Sequence, residues 1–422
     1  ATFNPSTTPF VTTWTVQQGE LDIEIYTINA FDYDFTVDWG DGQTQQNING
    51  DVTHTYANAG TYTVSITGVF PYFKTCKVAA GFNIFANCNN SAKLESVESW
   101  GNQEWRYMAG SFSKAENFNL NTMQAPDLSF VKDLKDIFKD AESFNQDINN
   151  WDVSNVTDMS GMFDGAISFN QPLDNWDVSN VSNMSNMFTG TVFNQTLNNW
   201  DVSNVKDMSS MFRNTSNFDQ PLDNWDVSSV TNIGGMFKSA ESFDRPLNDW
   251  DVSNVTNMGG LFGGFGTTFN QPLDSWDVSI VTNMGGMFQG NIAFNQPLNN
   301  WDVSSVENMR FLFDGATSFD QAINNWNVSN VTNMRAMFQG ADSFNQDISS
   351  WNTENVTEMG FMFSNADTFN QDISDWCVEQ IPAEPQNFAI NSALQASFFP
   401  EWGVTCNLSI AENSLDNFKV YP

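Results

Sequence analysis

The sequence contains a single histidine, His54, and few basic residues. Its 422 residues include 15 Lys+Arg against 50 Asp+Glu, which gives a formal net charge of −35. One histidine argues against a histidine-based catalytic triad and against a multi-histidine zinc site. Phosphate backbones and anionic lipids would repel so acidic a chain, which excludes nucleic acid and membrane surfaces as partners. No apolar run approaches the roughly 18 residues that a membrane helix needs, so we expect no membrane insertion.

The four cysteines form two local pairs, Cys76 with Cys88 and Cys377 with Cys406. Neither pair has the short spacing of a zinc knuckle or of a redox C-x-x-C motif. An even number of cysteines in local pairs predicts two disulfides, and disulfides persist in oxidising compartments. We therefore expect an oxidising or extracellular setting.

A repeat of about 25 residues fills the middle of the chain. Tryptophan recurs in steps of 24 to 26 residues. With tryptophan as position 1, one unit reads W-D-V-S-N-V-T-N-M-x-x-M-F-x-G-A-x-S-F-N-Q-P-L-N-N. The tryptophans are Trp151, Trp176, Trp200, Trp225, Trp250, Trp276, Trp301, Trp326, Trp351 and Trp376. An earlier unit starts at Pro126, so 126–375 holds ten repeats.

Two spacings within each unit predict two elements. Leu173, Trp176 and Val178 follow the L-x-x-L-x-L pattern of a leucine-rich-repeat strand, and such repeats occupy 20–29 residues. The next apolar residues, at positions 6, 9, 12 and 13, are spaced by three and four, which is typical of a helix. A serine such as Ser182 at position 7 would cap that helix. We predict an α/β solenoid, leucine-rich-repeat-like, with one parallel strand and one short helix per coil. A parallel β-helix without a helical segment is the alternative.

The recurring tryptophan and asparagine residues each allow two interpretations. Because tryptophan alternates with valine at position 3, we predict that the tryptophan column lies in the core, where aromatics bury large areas. Glycan stacking by exposed tryptophans is the alternative. For the asparagines at positions 5 and 20, ladders that satisfy the backbone of turns are favoured over ligand sites.

The two ends of the chain differ from the repeats. Alternating segments such as 22–26 and 61–66, together with a turn signal at Asp41-Gly42, predict a small immunoglobulin-like β-sandwich over 1–75. We assign 76–125 to an N-terminal cap with a degenerate first repeat, and 376–407 to a C-terminal cap. The two predicted disulfides would then close the two caps of the solenoid.

Several motifs resemble known families of extracellular proteins. The sequence from Asp38 to Gly42, and His54-Thr55-Tyr56 followed by 60–64, resemble the W-G-D-G and H-x-Y motifs of PKD domains. The repeats resemble those of the BspA-like leucine-rich-repeat surface proteins of bacteria, for example in 151–163 and 250–262. This resemblance implies a secreted or cell-surface protein of a bacterium. It carries no catalytic motif, so no residue inherits a catalytic role.

The last residues resemble a third family. Residues 408–422 end in Phe-Lys-Val-Tyr-Pro, which is similar to the lead-in of a type IX secretion sorting domain. The resemblance implies a linker towards a missing sorting domain, and the type IX secretion machinery as a partner during export.

Position 2 of the repeat is a row of aspartates. Its neighbours in the predicted strand are buried, so this position should face solvent. In-register coils would place the carboxylates about 5 Å apart, and calcium favours oxygen ligands. We expect either a bare, hydrated row or a row bridged by calcium. The candidate calcium ligands are Asp152, Asp177, Asp201, Asp226, Asp251, Asp277 and Asp302.

No pair of carboxylates is singled out as a glycosidase would require, so we expect no enzyme. Three functions remain. The first is adhesion or binding outside the cell, where the solenoid surface engages protein or polysaccharide. The second is a structural component of a surface layer or filament. The third is an accessory protein that captures polysaccharide.

Overall fold

The computed structural model describes residues 5–78 and 85–406. Its N-terminal part is built from β-strands. A six-stranded sheet has the order β10-β9-β1-β6-β3-β4, while β2 pairs with β5 and β7 with β8. The strands are β1 Ser6–Val16, β2 Asp22–Ile25, β3 Asp34–Asp38, β4 Thr44–Ile48, β5 Val52–Thr55, β6 Gly60–Val69, β7 Lys77–Val78, β8 Phe85–Asn87, β9 Leu94–Ser99 and β10 Asn119–Leu120.

The sheets enclose an apolar core because buried and exposed residues alternate along their strands. In β2, Ile23 and Ile25 are buried and belong to the same apolar cluster as Phe35 and Val37 of β3. β3 and β4 pair antiparallel around the predicted turn at Asp41-Gly42. The large sheet also takes in β9 and β10, which lie beyond residue 75 and lead directly into the repeats.

The repeats contain no α-helix, so the predicted α/β solenoid with a helix in each coil is wrong. The only helical elements among the described residues are two 3-10 turns, Ser91–Lys93 and Ala396–Phe398. Each coil is instead a series of β-turns closed by bonds from a backbone N–H to the carbonyl three residues earlier. Leu261 N–H, for example, donates to Met258 O (3.2 Å). Position 7 does not cap a helix: the Ser182 hydroxyl donates to the carbonyl of Thr157 in the preceding coil.

Neighbouring coils are joined by parallel hydrogen bonds along positions 9 to 15. Met258, Gly260 and Phe262 donate their N–H groups to the next coil, as in the bond from Phe262 to Met287 O (2.9 Å). Isolated parallel bridges link residue 8 of successive coils from Asp133 to Glu358. The coils thus stack as in a β-helix, the alternative to the α/β solenoid.

The interior consists of stacked columns of identical side chains. The tryptophan column is buried, which confirms its assignment to the core. The Trp250 indole is 4% exposed and donates to Leu222 O, 28 residues earlier in the chain (3.1 Å). Phe262 at position 13 stacks on Phe269 of its own coil and on Phe288 of the next, at ring-centroid distances of 3.8 and 5.9 Å.

Both ends of this interior are covered. At the N-terminal end, Phe73 and Trp100 of the β-structure pack against Phe112 of the degenerate first repeat. At the other end, Phe388 packs edge-on against Phe363 of the last coil, and Trp402 packs on Phe388.

The two predicted cysteine pairs, Cys76–Cys88 and Cys377–Cys406, are disulfide-bonded in the structure. The predicted sorting-domain linker, 408–422, lies outside the described residues. No described helix is long and apolar enough to cross a membrane.

Candidate functional site

The seven aspartates predicted as calcium ligands are exposed, but each accepts at least one hydrogen bond within the turn of its own coil. The Asp226 carboxylate accepts from the backbone N–H and the hydroxyl of Ser228, at 3.0 and 2.6 Å. These hydrogen bonds lower the pKa of Asp226, because they stabilise the ionised form. Asp177 and Asp277 have the same bonds and the same direction of shift.

The seven aspartates follow one another from coil to coil and do not surround a common point. Among the described residues, no group of three or more His, Cys, Asp or Glu side chains is placed to hold a metal ion. The calcium hypothesis therefore gains no support from this geometry.

The asparagine columns form ladders, as predicted. At position 5, the Asn254 side chain donates to Ser228 O in the preceding coil (2.8 Å). At position 20, Asn145 Oδ1 accepts from the N–H of Asn170 in the next coil (2.9 Å).

A different feature stands out on the side of the solenoid, where an open groove of about 360 Å³ crosses five consecutive coils. We call it the glycine groove, because glycine occupies positions 10 and 11 in its three central coils. Its lining is formed by Ser210, Arg213, Gly234, Gly235, Lys238, Asn257, Gly259, Gly260, Asn283, Gly285, Gly286, Gln289, Asn308, Arg310 and Phe311. At about 4.8 Å per coil, four steps make the groove roughly 20 Å long.

The wall of the groove is a ladder of asparagine amides at position 8. Asn257 Nδ2 donates to Asn232 Oδ1 (2.9 Å), and Asn283 Nδ2 donates to Asn257 Oδ1 (2.7 Å). The amide nitrogens lie directly over the glycines: a Cβ on Gly234 would be 2.7 Å from Asn257 Nδ2. Each NH₂ has two N–H donors, and the ladder uses one of them. A second donor per coil therefore remains for another acceptor.

The charged residues of the groove are all basic. Arg213 and Lys238 occupy position 14 at one end, and Arg310 occupies position 10 at the other. Within the described parts of the chain, no carboxylate lines the groove and none of these three cations forms an ion pair. In a chain of net charge −35, this is a local reversal of sign.

One aromatic residue lines the groove, and a second lies near it. Phe311 is half-buried at position 11, where its backbone has φ = 57°, a conformation that costs a bulky residue free energy. Phe265 comes from the one-residue insertion in the 26-residue coil and is 78% exposed. Its ring lies near Gly315, and its backbone packs on Gly290, the neighbour of Gln289 in the groove.

A second cavity, of about 420 Å³, lies where the β-structure meets the first coils. It contains both acidic and basic groups, including Lys74, Lys135 and Asp136. Burial raises the pKa of Asp136 to about 6, although Lys139 and Lys135 act in the opposite direction. Its mixed charges favour no single class of ligand.

The glycine groove was not predicted from the sequence. Position 8 held a further signal, because it changes from Asp207 to a run of asparagines from Asn232 to Asn333. A mostly acidic column that becomes a run of amides beside paired glycines indicates a change in the chemistry of that surface.

A family model described as "Mycoplasma protein of unknown function, DUF285" matches the chain over residues 81–197, 189–301, 250–324 and 293–402. The matched segments overlap and together cover all of the repeats. No curated protein and no solved structure matches the chain.

Proposed function

Because the chain belongs to the DUF285 family, whose function is unknown, we propose a function from its geometry: an extracellular binding protein that retains a polymer on the side of its solenoid. The glycine groove carries this proposal. It is open to solvent, crosses five coils and presents amide donors and unpaired cations. A groove that runs along a repeat array suits an extended ligand, since successive coils offer similar contacts at a constant spacing.

Three observations support the extracellular location and the bacterial surface within it. The two disulfides are consistent with an oxidising compartment outside the cytoplasm. The repeats resemble those of bacterial surface proteins. The surface is rich in neutral polar side chains, with charged residues making up 15% of the chain.

The closed ends of the solenoid favour binding over a structural role in a filament. Open ends would expose apolar columns and allow copies to stack end to end. Here Phe112 is covered by the β-structure and Phe363 by the C-terminal cap. An accessory role in polysaccharide capture is a narrower form of the same binding function.

The test is retention of the full chain on immobilised polysaccharides and matrix proteins, with sedimentation velocity as the parallel measurement. We expect a monomer that is retained on at least one polymer, and heat-denatured protein as the control should not be retained. Assembly into large species with no retention on any polymer would overturn the binding function and favour the structural component.

A further inference from the structure

We propose that the glycine groove binds an anionic polysaccharide, one whose sugar units carry carboxylate or sulfate groups. This inference rests on the proposed binding function and specifies its ligand. It follows from three properties of the groove: the sign of its charge, the spacing of its donors and the aromatic residues in it and near it.

The positive charge of the groove favours an anionic ligand. Three of the nine Lys and Arg residues in the repeats line this groove, namely Arg213, Lys238 and Arg310. Of the six other basic residues of the repeats, three form ion pairs with carboxylates, as Arg245 does with Asp219 (2.7 Å). The net charge of −35 repels an anion at long range. At physiological salt this repulsion is screened beyond about 8 Å, so the three cations dominate inside the groove.

The spacing of the amide donors along the groove favours a sugar chain over a peptide. Coils repeat at about 4.8 Å, whereas side chains on one face of an extended peptide recur at about 6.6–6.8 Å. A peptide would lose register with the amide ladder within two coils. An extended chain of pyranose rings advances one ring in nearly the coil spacing. Its hydroxyl groups can therefore accept from the second N–H of Asn257, Asn283 and Asn308 in turn.

The aromatic residues suit a sugar ring. Phe265 is largely exposed, and its backbone packs on Gly290, which follows Gln289 of the groove lining. The face of a pyranose ring carries C–H groups that pack against an aromatic side chain. Phe311 lines the groove next to Arg310.

The experiment measures binding of the full chain to oligogalacturonates of increasing length by calorimetry. A sulfated polysaccharide, a neutral glucan and poly-glutamate serve as comparison ligands. The groove variant is Arg213→Gln with Lys238→Gln and Arg310→Gln. The control variant removes three exposed cations elsewhere, by Lys114→Gln, Lys132→Gln and Arg245→Gln, so both variants have the same net charge. Thermal melts check that both remain folded.

We expect the uronate or the sulfated chain to bind, and affinity to stop rising once the oligomer fills the roughly 20 Å groove. The groove variant should lose affinity about tenfold or more, because charge-assisted hydrogen bonds are lost. The control variant should bind like the wild type. Phe265→Ala should weaken binding about threefold or more without changing the melt. Tighter binding of the uronate or of the sulfated chain identifies the acidic group.

Different failures have different meanings. Retention of polymers with equal effects of the groove and control variants would leave the binding function intact and reject the groove as its site. Equal binding of the neutral glucan, or of poly-glutamate, would reject an anionic polysaccharide as the ligand. No binding of any ligand, on these probes and on the wider panel, would reject the proposed function itself.

Discussion

At the scale of single residues, glycine at position 10 and asparagine at position 8 depend on each other. A Cβ on Gly259 would lie 2.6 Å from Asn283 Nδ2, and one on Gly285 would lie 2.8 Å from Asn308 Nδ2. Such distances are too short for ordinary contact, so side chains here would push the amides apart. Glycine thus maintains both the amide ladder and the open floor of the groove.

Asp136 gives a prediction about pH. Burial raises its pKa from 3.8 to about 6, so the folded state holds this proton more tightly than the unfolded state. The corresponding stability is present below about pH 4 and is lost as the pH rises towards about 6. Asp136→Asn should therefore raise the free energy of unfolding at pH 7–8 by about 1 kcal/mol and leave it unchanged at about pH 3.5. Urea titrations at both pH values measure this difference.

Asp177→Asn is the control with the opposite sign. Hydrogen bonds from Ser179 lower the pKa of Asp177, so its contribution is present at neutral pH and is lost as the pH falls. This variant should not be stabilised at any pH. A gain in stability at neutral pH for Asp177→Asn, or none for Asp136→Asn, would contradict the assignment of these shifts.

At the scale of the coil, a series of β-turns has the same spacing of apolar residues as a helix. Each turn brings residues i and i+3 to the same side, so positions 9, 12 and 13 point into the core in either structure. The backbone distinguishes the two. Positions 11 and 15 have positive φ, as in Gly260 (69°) and Asn365 (56°), and a right-handed helix cannot contain such residues. The recurring glycines at these positions were therefore a signal against the helix.

Apolar positions and polar positions differed in how well the sequence predicted them. The period, the buried tryptophan column and the ladders at positions 5 and 20 followed from alternation and recurrence. The groove did not, because it depends on how residues of five different coils lie beside one another. Neither the bonds between Asn257 and its neighbours nor the unpaired state of Arg310 can be derived from spacing within a single unit.

The amide ladder should contribute more to coil stability than the ladder at position 5. Within one coil, Asn257 is half-buried, and its side chain forms hydrogen bonds with Asn232, Asn283 and Gly259. Asn254 is exposed, and its side chain donates a single hydrogen bond. Asn257→Ala should lower the free energy of unfolding by about 1–3 kcal/mol, and the matched Asn254→Ala by about 0.5 kcal/mol. Chemical denaturation measures both. Equal losses would show that the amide ladder is no stronger than an exposed side-chain bond.

At the scale of the whole molecule, each coil contacts only its neighbours, so stability is transmitted along the array from its two closed ends. The last coil depends directly on the C-terminal cap. Phe361, Phe363 and Asn365 donate their N–H groups to cap carbonyls, and the bond from Phe363 reaches Phe388 O at 2.8 Å. The Cys377–Cys406 disulfide closes the stretch of chain that contains those carbonyls.

Removing that disulfide should therefore open the array from one end. Cys377→Ser with Cys406→Ser removes a link across 29 residues, worth about 3–4 kcal/mol by loop entropy. Amide hydrogen exchange should accelerate most at Phe361, Phe363 and Asn365, while Phe262 in the central coils keeps its wild-type protection. Cys76→Ser with Cys88→Ser is the matched control, because it should spare the C-terminal coils. If exchange instead accelerated equally in every coil, the solenoid would unfold as a single cooperative unit, and the nearest-neighbour description of this molecule would be wrong.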